Sequence, residues 1–156
     1  MPARPRIYVD TSVIGGCLDP EFQIPSRHLF PRFRSGQAIV VLSDLTVLEL
    51  GEAPLKVRRV LDRVPMRYRE SVELTEEAVE LADHYIAARV LGRAKRVDAQ
   101  HIAIVTLAGV DVLVSWNFRH IVNLRRIHGY NEVNRHLRYP QLEIRTPWEV
   151  IGSASP

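Results

Sequence analysis

The sequence predicts a three-layer α/β/α domain around a parallel sheet. Short apolar, β-branched runs such as AIVVL and VLV alternate with longer segments of helical spacing. Those runs are apolar on both faces, as strands covered on two sides are. At 156 residues, 46% hydrophobic and 25% charged, the chain can close a core without staples. With no internal repeat, low-complexity stretch or linker, residues 1–156 read as one domain.

Arg6–Asp10 (RIYVD) reads as a short buried strand ending on a carboxylate. Thr11 and Ser12 are capping types, so a turn or helix follows at once. A helix continues over Ser26–Ser35, with Pro25 and Pro31 leaving its boundaries open. Ala38–Leu42 is the second strand. Ser43 or Asp44 caps a helix through Leu50 that breaks near Gly51 and Pro54. Leu55–Val64 keeps helical spacing at Leu55, Val57, Val60, Leu61 and Val64. Ser71–Leu74 is a third strand, and Thr75 caps a helix over 76–90. Asp98 opens a mostly apolar helix through Leu107, stopped by Gly109, and Val112–Val114 is the fourth strand. After a long basic segment, Leu142–Ile144 is the last strand. Thr146 then caps a terminal helix with Pro147 at its first position.

Composition narrows the function classes. No apolar run approaches the roughly 18–20 residues of a membrane helix. The basic N-terminus MPARPR has no apolar signal core, which points to a cytoplasmic protein. Cys17 is the single cysteine, so an intrachain disulfide framework and a cysteine zinc site are both excluded. The net charge of +3 is mild, so partners must be read from where the charge sits. Of the 21 basic residues only Lys56 and Lys95 are lysine. Arginine's planar fork suits phosphate, although GC-rich codon usage produces the same bias. Residues 56–69 carry six basic residues against Asp62, and residues 117–140 five arginines and three histidines against Glu132. The stretch from Glu70 to Asp83 between them is acidic. Such alternation marks solvated helix faces, and it also suits a polyanion lying across both basic stretches.

The acids carry the chemistry. Asp10 ends the first strand, Glu49 lies in the helix after the second, and Asp98 opens the helix before the fourth. In an open parallel sheet the carboxyl ends of the strands face one crevice, at the switch point of the topology. Three acids converging there repel one another unless a cation sits among them. A hard cation such as Mg²⁺ takes oxygen ligands and keeps several waters, so two or three carboxylates suffice. Asp98 has the alternative of capping its helix, and Glu49 of being a solvated helix residue. Asp10 is harder to explain away, because an acid closing an apolar strand is costly to bury alone.

YVDTSV, then LSDLTVLEL, then VDAQHIAIVTLAGVDVLVSWNFRHI, in that order, resemble the PIN-domain nucleases. The likeness is strongest to the VapC-type toxins of toxin–antitoxin pairs, and runs from about Arg6 to Ile151. It implies a strand order 3-2-1-4-5, a Mg²⁺- or Mn²⁺-dependent ribonuclease, a homodimer, and an antitoxin entering the active-site groove. Carried over, Asp10, Glu49 and Asp98 match the first three acids, and Ser12 the hydroxyl two residues after the first. The fourth acidic position usually follows the fourth strand as Thr-x-Asp. This chain has Ser115-Trp116-Asn117, so Asn117 keeps a carbonyl ligand and loses a charge. On the resemblance, Asp10, Glu49, Asp98 and Asn117 form the catalytic set. The first three hold metal, and Ser12 and Ser115 support them.

A second departure is the long segment Arg119–Tyr139. Arg119, Arg125 and Arg126 can track an RNA backbone, with Tyr130 and Tyr139 stacking bases; otherwise the aromatics tuck onto the core. Weaker candidates are Glu52 as a reserve ligand, and His101 or His120 as orienting groups or plain structural histidines. Asp111 reads as a turn residue, Cys17 as a small buried one, and Trp148 as a pin for the terminal helix. Gly15-Gly16 fits no phosphate-loop pattern. Two rivals stand against the nuclease. One is a catalytically weak PIN module that binds RNA or a protein partner, motivated by Asn117. The other is a haloacid-dehalogenase-type phosphohydrolase, whose D-x-D pattern Ser12 breaks.

Overall fold

A computed structural model describes residues 4–153. The first three residues of the basic N-terminus, and the last three of the expected domain, lie outside the described residues. The strands β1 (Arg6–Val9), β2 (Ile39–Ser43), β3 (Arg69–Val72), β4 (Val112–Val114) and β5 (Ile144–Arg145) form one sheet in the order β3-β2-β1-β4-β5. Every pairing is parallel. The helices are α1 (Thr11–Gly16), α2 (Gln23–Ser35), α3 (Asp44–Gly51), α4 (Leu55–Asp62), α5 (Glu76–Ala87), α6 (Arg96–Ala108), α7 (Leu124–His136) and α8 (Pro147–Ser153).

Strand alternation sorts the apolar side chains into two cores. Tyr8, Val41, Leu113 and Ile144 point to one face and pack with Leu81, Tyr85, Ile102 and Tyr130 from α5, α6 and α7. Ile7, Val9, Val40, Leu42 and Val114 point to the other and meet Val13, Leu29, Phe33 and Val150 from α1, α2 and α8. This double burial is why the central strands are nearly all Val, Ile and Leu. The chain leaves β1 outward through β2 and β3, then returns to pair β4 with the free side of β1. That reversal opens the crevice at the carboxyl ends of β1 and β4.

Several boundaries differ from the sequence reading. The strand expected over Ser71–Leu74 lies at Arg69–Val72, where Arg69 pairs with Val40 and Ser71 with Leu42. This is an edge strand of polar composition, so hydrophobic alternation could not mark it. The helix expected over 76–90 stops at Ala87, because Arg89 takes φ +61 where helices usually end on glycine. Asp98 does not cap its helix: α6 begins at Arg96, with Lys95 in the cap position. The long basic segment contains α7, capped by Asn123 accepting from Arg126 N. Trp148, expected to pin α8, is 57% exposed, and Val150 is the α8 residue that enters the core. Glu52, offered as a reserve ligand, is exposed at the C-cap of α3, with its N donating to Glu49 O. No helix among the described residues is long and apolar enough to cross a membrane.

Candidate active site at the carboxyl edge of the sheet

Asp10 stands one residue beyond β1. It occupies the N-cap position of α1, yet its carboxylate makes no capping bond. Instead Oδ1 accepts from Ser12 Oγ at 2.5 Å and Oδ2 from Ser115 Oγ at 2.6 Å. Those hydroxyls are aimed by the turn after β4. Trp116 N donates to Ser12 Oγ at 3.0 Å, and Asn117 N to Ser115 Oγ at 2.9 Å. With a lone pair taken by a backbone N–H, each hydroxyl has its hydrogen left for the carboxylate. Asp10 is only 6% exposed, and no Lys or Arg pairs with it among the described residues. Burial therefore pushes its carboxyl above the usual range, against the pull of Ser115, Ser12 and His101.

Glu49 reaches in from α3. Its Oε1 accepts from Thr11 Oγ1 at 3.0 Å, next to Asp10 in the chain, and from His101 Nε2 at 2.8 Å. The bond to His101 holds the Glu49 carboxyl below the usual range, more than partial burial raises it. His101 is 2% exposed, and its Nδ1 lies 2.7 Å from Tyr8 Oη. Tyr8 Oη is also 2.6 Å from Ser43 Oγ, at the end of β2. Burial pushes the Tyr8 phenol up to about 12, so it stays protonated at neutral pH. A line of buried polar groups thus runs from the end of β2 through β1 and α6 to Glu49. His101 is a buried histidine hydrogen-bonded at both ring nitrogens, with Glu49 on one side and Tyr8 on the other.

Asp98 lies in the first turn of α6, one turn before His101, and is half-buried. Its charge acts on His120 and Tyr130. Asp10 and Glu49 come together at the β1–α1 junction, with Asp98 along the same helix face as His101. Among the described residues, no three His, Cys, Asp or Glu side chains form a ready metal cluster. A hydrated hard cation does not need a closed cage, because one or two carboxylates and several waters suffice. Asp10 has hydroxyl donors and no counter-ion, and Glu49 is held ionised beside it. These donors fit such an ion.

Asn117 uses its side chain locally. Its Oδ1 accepts from Arg119 N at 3.2 Å and His120 N at 3.0 Å, closing the turn that presents Ser115. Arg119 and Arg125 are exposed, whereas Arg126 is tied to Val90 O. The two tyrosines of the basic segment are not free to stack. Tyr130 is buried with Oη donating to His120 O, and Tyr139 Oη donates to Glu77. Phe118, half exposed and beside Trp116 in the turn after β4, is an aromatic the sequence reading missed. Tyr8 and Ser43 were also missed, since a tyrosine inside an apolar strand carries no signal of its hydroxyl's partner. Asp111 is the turn residue expected, accepting from Arg6 N at 2.7 Å, and Cys17 is buried.

No protein-family model matches this chain, and no curated protein matches it. Among solved structures the fold is similar to that of Mycobacterium tuberculosis VapC20, described as a Sarcin-Ricin loop cleaving toxin. The TM-score is 0.54 at 16% identity, covering 72% of this chain and 91% of that one. At that identity the likeness is one of fold.

Proposed function

We propose that this chain is a divalent-metal-dependent ribonuclease and the toxin of a VapC-like toxin–antitoxin pair. One observation carries the reading: a buried carboxylate without a counter-ion, Asp10, held by two serines at the switch point of a parallel sheet. Burying an unpaired charge is unfavourable for stability, so its retention points to chemistry. The three ordered sequence motifs and the fold shared with a toxin that cleaves RNA support the same reading.

Asp10 and Asp98, with Glu49, would hold Mg²⁺ or Mn²⁺. When bound, such an ion supplies charge neutralisation on the phosphate and a water of lowered pKa. Ser12 and Ser115 keep the Asp10 oxygens fixed, so the carboxylate does not reorganise as charge develops. Arg119 and Arg125 bind the RNA backbone, and Phe118 offers a face to a base. Asn117 holds the 115–120 turn. A homodimer and a cognate antitoxin belong to this reading; sedimentation would give the mass of the assembly.

The test is cleavage of a labelled RNA panel in Mn²⁺, Mg²⁺ or EDTA, with wild type beside Asp10→Asn and Asp98→Asn. Metal-dependent cleavage lost in both variants is the expected result. Cleavage that survives Asp10→Asn would overturn the assignment. RNA binding without turnover in any metal would favour the second reading, a binding module. That alternative is motivated by an Asn117 oxygen already spent on its own turn.

A further inference from the structure

We propose that His101, backed by Tyr8, is the positioning residue of Glu49, fixing its carboxylate so that one oxygen is anchored and the other is left to bind. This deepens the metal-nuclease reading and rests on it. Glu49 is the least sheltered of the line, its side chain 41% exposed on a helix whose next residues, Leu50 and Gly51, end it. A glutamate so placed samples several rotamers unless something holds it. Two donors converge on the same oxygen: Thr11 Oγ1 from the β1–α1 junction and His101 Nε2 from α6. Oε2 has no hydrogen-bond partner among the described residues, so one oxygen anchors while the other is left to bind.

The anchor itself is rigid. His101 Nε2 must carry hydrogen to meet a carboxylate, and the ring cannot turn away because Nδ1 is engaged by Tyr8 Oη at 2.7 Å. Tyr8 sits edge-on to the imidazole, with ring centroids 5.9 Å apart. It is fully buried in the central strand, and its hydroxyl is held in turn by Ser43. Groups that orient a metal-binding side chain through its outer hydrogen bond typically change affinity or activity about 10–100-fold when removed.

The experiment is Mn²⁺ titration calorimetry on the full chain, alongside RNA cleavage and thermal melting. The variants are Tyr8→Phe, Thr11→Val, His101→Gln and Glu49→Gln, with Asp10→Asn as reference. His101→Gln is expected to weaken Mn²⁺ binding about 10–100-fold and lower kcat, with KM for RNA unchanged. Tyr8→Phe keeps the ring and loses only the hydroxyl, so it guards against a His101 variant that fails to fold. It should weaken Mn²⁺ binding several-fold at near-native melting temperature. Tyr8→Phe and Thr11→Val variants that fold and bind Mn²⁺ like wild type would overturn the positioning role. Wild type that neither binds Mn²⁺ nor cleaves RNA would remove the parent reading and this one with it. Mn²⁺ binding lost in Asp10→Asn but untouched by every Glu49-side variant would remove this one alone.

Discussion

At the residue scale, Asp10 sets function against stability. Burial makes its carboxylate costly to ionise, with two serine hydroxyls as compensation. An amide of the same shape lacks that penalty and still accepts from one serine. Asp10→Asn is therefore expected to melt a few degrees higher than wild type at pH 7 in EDTA, while cleavage falls at least about 100-fold. Differential scanning fluorimetry and the RNA assay on one preparation check both halves. Asn117→Asp makes the complementary test. An aspartate oxygen can accept from Arg119 N and His120 N as the amide does, so the turn is kept and a charge is added. Unchanged folding with tighter Mn²⁺ binding is the expected outcome, read by calorimetry.

Among the elements, β1 is tied to its neighbours by Arg6 as well as by the ladder. The guanidinium pairs with Glu70 on β3 and donates to Ala108 O and Gly109 O, satisfying the end of α6. That pairing holds Glu70 below the usual carboxylate value of 4.5. A depressed carboxyl pKa adds stability that is present above the unfolded value and lost as pH falls through the folded one. Wild type should exceed Glu70→Gln in melting temperature above about pH 4.5, and the two should converge on acidification. Arg6→Ala should cost about 1 kcal/mol, because the pair is partly solvated. At α1, a methyl group on Gly16 would stand 2.7 Å from Ser26 Oγ and 2.9 Å from Trp116 Nε1, which are themselves bonded. Gly16→Ala is expected to destabilise by about 1–3 kcal/mol in urea unfolding. It should also lower activity, since Trp116 N helps aim Ser12. The elements legible in the sequence were those with an apolar pattern and a conventional signal: Ala38–Leu42, Val112–Val114, the start of α5 at Thr75 and the end of α6 at Gly109. Those that slipped lack one or the other, as the polar edge strand β3 and the arginine-terminated α5 do. That Asp10 and Glu49 lie at one sheet edge was legible by position, but the Tyr8–His101 line behind Glu49 depends on pairings across three elements that no local pattern records.

For the whole molecule, the two cores share one sheet, so neither half can open without exposing the other. We propose on this ground that residues 1–156 form one domain. A single unfolding transition, with tryptophan fluorescence and far-UV circular dichroism coinciding, is the expected result. RNA affinity should fall steeply with salt if Arg119 and Arg125 meet phosphates, and Arg119→Ala should reduce that slope by about one. The tie between Asp10 and Ser115 also fixes when the site can exist, since 105 positions separate the two. A ribosome making this chain releases Asp10 early and must then deliver the turn after β4, which carries Ser115, before the carboxylate gains its second hydroxyl. On the nuclease reading, partly made chains are therefore silent, and the site is complete only once translation has passed the turn after β4. Stalled nascent chains shorter than that point should leave the RNA around them intact.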